Sequence, residues 1–87
     1  MRLDKFLKAS RLVKRRTLAK EVCDAQRVMV NGRPAKPGTD IQVGDTLTLD
    51  FGRRVLKVKV VELRDSASVG DARRMFEVLA EEVRPDW

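Results

Sequence analysis

The chain has 87 residues, 43% hydrophobic and 37% charged, which suits one small domain with a thin core. No apolar run reaches the roughly 18 residues of a membrane span, and the charged start is unlike a signal peptide, so we expect a cytoplasmic protein. Histidine, the commonest general base and metal ligand, is absent, and no zinc spacing, phosphate loop or nucleophile elbow is present. We therefore expect no enzyme, no metal and no cofactor.

The excess positive charge lies in the first 36 residues, which carry eleven basic and three acidic side chains. The remaining 51 residues carry eight basic and ten acidic side chains, so the first block accounts for the whole net charge of +6. Because this block also has the periodicity of folded elements, its charges should form a structured face rather than a tail. Such a face is typical of proteins that bind a structured polyanion such as RNA.

Two short helices are predicted at the start of the chain. The first covers about residues 3–9, where apolar side chains share one face and Asp4 falls on the opposite side. The second covers about residues 15–25, with Leu18 in its apolar stripe. Cys23 lies among the apolar residues of this helix, and we expect it to be a small core group rather than a reactive thiol.

Arg16 and Lys20 are four residues apart on the second predicted helix and form a stripe of like charge. Such a pair is repulsive unless a polyanion neutralises it. We therefore expect these two side chains to lie on the binding face.

The middle of the chain predicts antiparallel strands. Residues 28–30 lead into Asn31-Gly32, a pair that tolerates the positive φ angles of a type I′ hairpin turn. Pro34 and Pro37 restrict the return strand to an edge of the sheet. Residues 46–51 and 55–63 alternate polar and apolar side chains and predict a second antiparallel pair.

A closing helix is predicted after the polar loop of residues 65–70. Asp71 is a candidate N-cap for it. Its expected apolar stripe consists of Ala72, Met75, Phe76, Leu79 and Val83. The fold class is thus α+β: two N-terminal helices packed on a short antiparallel sheet, with a closing C-terminal helix, in one domain over residues 1–87.

Four stretches of the chain together resemble the S4-type RNA-binding domain, the alpha-L fold. They are RLDKFL at 2–7, KRRTLAK at 14–20, VMVNGR at 28–33 and GDTL at 44–47. The resemblance covers a core motif over about residues 1–50. It leaves about residues 51–87 as an extension of strand and C-terminal helix.

A longer pattern is similar to one stand-alone bacterial family, the RqcP proteins of ribosome-associated quality control. It includes SRLVKRRTLAKEV at 10–22, the Phe51-Gly52 step and the acidic end of the chain. The resemblance implies binding to obstructed large ribosomal subunits that carry peptidyl-tRNA, with contacts to 23S rRNA helix 69 and the tRNA. It also implies a partner, RqcH, in alanine tailing of stalled chains, and a monomer off the ribosome.

The candidate RNA-binding residues combine the charge pattern with this resemblance. They are Arg2, Arg11, Lys14, Arg15, Arg16, Thr17, Lys20, Asn31 and Arg33. Asp4 is expected to orient a neighbouring arginine, because RNA would repel its carboxylate. We expect Phe6 and Phe51 in the core, which leaves no stacking platform and makes helical RNA the better target.

A second basic group consists of Arg53, Arg54, Lys57 and Lys59 and is expected on the solvated side of a strand, with contact to tRNA as the alternative. Three alternatives to the RqcP interpretation stay open. They are a heat-shock-type S4 ribosome-recycling factor, a nucleic-acid-binding regulator that uses the second helix on RNA or DNA, and a protein adaptor that uses the acidic closing helix.

Overall fold

The computed structural model describes residues 1–85 and confirms an α+β fold. The helices are α1 (Leu3–Ala9), α2 (Arg16–Asp24) and the single turn α3 (Val69–Ala72), which runs into a 3₁₀ turn at Arg73–Met75. The strands are β1 (Val28–Val30), β2 (Arg33–Pro34), β3 (Thr46–Asp50), β4 (Arg54–Val60) and β5 (Phe76–Val83). They form one antiparallel sheet in the order β2-β1-β3-β4-β5. None of the helices within this part of the chain is long and apolar enough to cross a membrane.

The core lies between helices α1 and α2 and the inner face of the sheet. Leu3, Phe6 and Leu7 of α1 are fully buried, as their shared face predicts. The inner face of the sheet contributes alternate residues of β3 and β4, including Leu47 and Val58. This alternation confirms the predicted pairing of the two strands.

Helix α2 is rotated relative to its predicted apolar stripe. Ala19 and Cys23 face the core, whereas Leu18 is 42% exposed, so the prediction that Leu18 belongs to the buried stripe was wrong. The small side chains at positions 19 and 23 suit a face that packs closely against α1, and Leu18 lies about 100° away from Ala19 around the helix. The expectation that Cys23 is a small core residue is confirmed.

The β1–β2 hairpin forms as predicted. Asn31 and Gly32 have φ angles of +53° and +83°, the left-handed pair of a type I′ turn. The Asn31 side chain also ties the turn to β3, since its Oδ1 accepts from the Thr46 N–H at 2.9 Å and its Nδ2 donates to Asp45 at 3.1 Å. Strand β2 lies at the edge of the sheet, where its proline is tolerated.

The predicted closing helix is wrong, because residues 76–83 form strand β5 along β4. The helical part is one turn only, and its N-cap is Ser68, whose Oγ accepts from the Asp71 N–H at 3.2 Å. Without β5 the outer edge of β4 would expose a row of unpaired backbone groups. This long-range pairing overrides a helical period that is local to the segment.

The end of β3 corrects another expectation. Phe51 has the same parity as Leu47 and Leu49, but it is 37% exposed and therefore not in the core. It lies one residue beyond β3, where Gly52 turns the chain with a φ angle of +89°. The ring thus reaches past the edge of the packed layer.

Candidate functional site

A buried carboxylate organises two of the predicted RNA-binding arginines. Asp4 is 0% exposed and accepts from Arg2 Nε at 3.1 Å and from Arg16 Nε at 3.3 Å. The Lys5 backbone N–H donates to the same carboxylate at 2.8 Å. The prediction that Asp4 orients a neighbouring arginine is confirmed, and it orients two. Its placement on the solvent side of α1 was wrong, because α2 packs there and brings Arg16 onto it.

The electrostatics of the Asp4 carboxylate follow from these contacts. Burial disfavours its charged form, but the hydrogen bonds from Arg2 and Arg16 favour it more strongly, so the pKa of Asp4 lies below its ordinary value. The carboxylate therefore stays ionised at neutral pH. It holds two guanidinium groups whose side chains are still 52% and 50% exposed.

The exposed groups of Arg2 and Arg16 can therefore contact phosphates while Asp4 fixes their positions. A guanidinium offers five N–H donors, so an arginine that bonds one carboxylate oxygen keeps donors for a phosphate. We refer to Asp4, Arg2 and Arg16 as the arginine clamp.

A shallow basic depression adjoins the arginine clamp. Its lining includes Lys5, Lys8, Arg11 and Arg16 together with residues 65–67 of the loop after β4. Arg11 donates to the Ala67 carbonyl at 3.5 Å, and Lys5 pairs with Asp65 at 2.9 Å. The structure thus brings Arg11 next to Arg16, and an acidic loop residue partly balances the charge of Lys5.

The other candidates lie on neighbouring surfaces. Lys14, Arg15 and Thr17 line a second depression with Leu18 and Glu21, at the start of α2. Lys20 is exposed one turn beyond Arg16 on the same helix. Arg33 is exposed on the hairpin, where Asn31 is already engaged by β3.

Sequence reasoning missed one exposed aromatic side chain with basic neighbours. The Arg54 guanidinium lies 5.9 Å from the centroid of the Phe51 ring. Leu12, Arg53 and Arg54 line one depression beside the ring, and Leu18 and Val22 line another. The sequence signal for this exposure was the glycine that follows Phe51. A turn at that glycine ends the strand before residue 51, which is then not covered by the helices.

Possible metal ligands and the Cys23 thiol are two further features of the described residues. Within residues 1–85, no three histidine, cysteine or acidic side chains lie close enough together to hold a metal ion. Burial, with Asp4 and Asp24 as nearby negative charges, raises the pKa of the Cys23 thiol to about 11. A thiol in this state is a poor nucleophile at neutral pH.

Comparison with known proteins gives a consistent set of relatives. The S4 domain family model matches residues 1–47. The chain is 52% identical to the RQC P-site tRNA stabilizing factor of Bacillus subtilis, over 94% of this chain and 95% of that protein. It is 38% identical to Heat shock protein 15 of Escherichia coli, over 95% of this chain and 63% of that protein. A trimeric structure of Vibrio cholerae Heat Shock Protein 15 superposes with a TM-score of 0.86 at 30% identity, covering 92% of this chain and 82% of that one.

Proposed function

Because the chain belongs to the S4 domain family and, within it, to the RQC P-site tRNA stabilizing factors, we propose that it acts in ribosome-associated quality control by binding RNA rather than by catalysing a reaction. Its target is the obstructed large ribosomal subunit in the cytoplasm, with peptidyl-tRNA still bound. There it contacts helix 69 of 23S rRNA and the tRNA, and it supports alanine tailing that depends on RqcH.

The arginine clamp is the observation that carries this proposal. Arg2 and Arg16 come from separate elements and are held by one buried carboxylate, which reduces the conformational freedom that each loses on binding. Two fixed guanidinium groups can read the phosphate positions of a duplex. Duplex RNA is recognised mostly by backbone shape, because its deep groove hides the base edges.

The alternatives receive less support. Identity is 38% to Heat shock protein 15 and 52% to the B. subtilis tRNA stabilizing factor, which favours the latter function. A DNA regulator would insert α2 into a major groove, but the relatives that the chain matches are named for tRNA stabilization and heat shock rather than for DNA binding. The adaptor hypothesis depended on an acidic closing helix, and those residues form β5 instead.

Arg16→Ala tests the proposal directly. We expect co-sedimentation with large subunits that carry peptidyl-tRNA to fall about tenfold or more, because a charge-assisted hydrogen bond contributes about 1.5–3 kcal/mol. Arg73→Ala is the matched control, since Arg73 is an exposed arginine in the 3₁₀ turn near the other end of the chain. Equal binding of the wild type and Arg16→Ala would refute the placement of the RNA face.

The link to alanine tailing needs its own measurement. We expect Arg16→Ala to reduce the alanine tails on a stalled reporter in a reconstituted reaction with RqcH, in proportion to its loss of subunit binding. Undiminished tailing with lost binding would separate this protein from the tailing reaction.

We also infer a monomer off the ribosome, which sedimentation equilibrium would test by returning the mass of one chain rather than three.

A further inference from the structure

Apolar and basic side chains from separate parts of the chain meet around Phe51. The ring lies between two adjoining depressions, one lined by Leu12 and Arg54 and the other by Leu18. Leu18 also lines the depression that holds Lys14 and Arg15. These shared residues make one continuous surface, the Phe51 face, which consists of Leu12, Lys14, Arg15, Leu18, Glu21, Phe51 and Arg54.

We propose that the Phe51 face binds a single-stranded RNA segment, with one unpaired base stacked on the Phe51 ring. Aromatic side chains in a basic groove are the usual means of holding unpaired nucleotides, since every base has a π-face. The Arg54 guanidinium lies over the Phe51 ring and can contact the phosphate of the nucleotide whose base stacks there. Lys14 and Arg15 extend the positive surface along the backbone of the strand.

Charge favours RNA over an apolar protein segment as the occupant. The three depressions carry more basic than acidic side chains, with Lys14, Arg15, Arg27, Arg53 and Arg54 against Glu21 and Asp50. Asp50 is already engaged by the Gly52 N–H at 2.8 Å and by Arg84 at 3.4 Å. Leu18 and Phe51 are the exposed apolar groups of this face, and two such side chains suit one flat base better than a docked helix. A partner helix would bring several apolar anchors at i, i+3, i+4 and i+7.

The Phe51 face and the basic depression at the arginine clamp have different linings, so they can hold two RNA segments at once. This inference rests on the proposed function as an RNA-binding protein and adds a second class of ligand. The clamp would read duplex phosphates, whereas the Phe51 face would take an unpaired nucleotide. The two sites can therefore be tested with different probes.

The experiment measures the affinity of labelled octaadenylate by fluorescence anisotropy at fixed salt. We expect Phe51→Ala to weaken binding about tenfold, the scale of a lost base–aromatic stack. Phe51→Leu should lose a similar amount although it keeps an apolar side chain, and Phe51→Trp should bind at least as well as the wild type. Val43→Ala is the control, because Val43 is 59% exposed beyond the opposite end of β3.

Several outcomes would overturn the stacking proposal. They are no binding of octaadenylate by the wild type, wild-type affinity in Phe51→Leu, and an equal loss in Val43→Ala. The leucine and tryptophan variants retain bulk at position 51, so the comparison survives if the alanine variant unfolds.

A duplex RNA hairpin separates this proposal from the proposed function. We expect Arg16→Ala to weaken hairpin binding and Phe51→Leu to leave it unchanged. If Arg16→Ala left the affinity for the RNA hairpin unchanged, this would count against the arginine clamp but not against the Phe51 face. If Phe51→Leu weakened binding of the RNA hairpin as much as binding of octaadenylate, the two surfaces would not be distinct. That result would overturn the stacking proposal.

Discussion

At the scale of single residues, Asp4 shows what a helical period leaves undetermined. Its side chain projects between those of Leu7 and Lys8 around α1, so its burial depends on where α2 docks. A buried carboxylate is costly unless it is paired, and here two arginines and a backbone N–H satisfy it. The sequence predicted that Asp4 orients an arginine but could not identify its burial, because α2 supplies both the cover and the second partner.

The lowered pKa of Asp4 predicts an acid-sensitive contribution to stability. Its folded pKa lies below the ordinary value of 3.8, so the ionised carboxylate stabilises the fold above that pH. The contribution is lost as the pH falls through the folded pKa. We expect Asp4→Asn to lower the free energy of unfolding at pH 7 by about 1–3 kcal/mol.

Urea unfolding of Asp4→Asn and the wild type between about pH 5 and 2 measures this contribution, because the two stabilities should converge as the carboxylate is protonated. Asp40→Asn is the control, since Asp40 also has a lowered pKa but is exposed to solvent. Its effect at pH 7 should be smaller, because solvent screens an exposed pair. A stability difference between Asp4→Asn and the wild type that does not change with pH would contradict the assignment.

At the scale of elements, local signals predicted the first two helices and the hairpin, and long-range pairing decided the rest. The bounds of α1 and the turn at Asn31-Gly32 follow from side chains close in sequence. Strand β5 depends on the open edge of β4, which local periodicity does not reveal. The exposure of Phe51 has a similar cause, since it depends on how far the helices cover the sheet.

The hydrogen bonds by which Asn31 holds the β1–β2 hairpin against β3 yield a prediction for this element. Asn31→Ala removes the hydrogen bonds to Asp45 and Thr46, so we expect the free energy of unfolding to fall by about 1–2 kcal/mol. Arg33→Ala, two residues away and exposed, should leave stability unchanged and weaken RNA binding if the hairpin reaches the RNA. Thermal unfolding of the two variants measures the effect on stability, and their affinity for a duplex RNA hairpin measures the effect on RNA binding. Unchanged stability of Asn31→Ala would show that these hydrogen bonds are not important for the fold.

At the scale of the whole molecule, strand β5 determines which basic side chains have acidic neighbours. As a strand it places Glu77 opposite Lys59 and Glu81 at 4.0 Å from Arg54. Arg54 and Lys59 of β4 therefore have acidic neighbours, whereas the first 36 residues keep their excess of positive charge. This asymmetry should orient the protein with α1 and α2 toward a polyanion.

The same asymmetry predicts which charges set the salt dependence of binding. The affinity for a duplex RNA hairpin should fall by about 0.7–0.9 log units per log unit of salt for each phosphate neutralised. We expect Arg16→Ala to reduce this slope by about one phosphate. Lys59→Ala should leave the slope unchanged, because Glu77 lies opposite Lys59 on the outer face of the sheet. Binding isotherms at several salt concentrations measure both slopes, and equal reductions in the two variants would indicate a diffuse attraction by net charge instead of contacts at the arginine clamp.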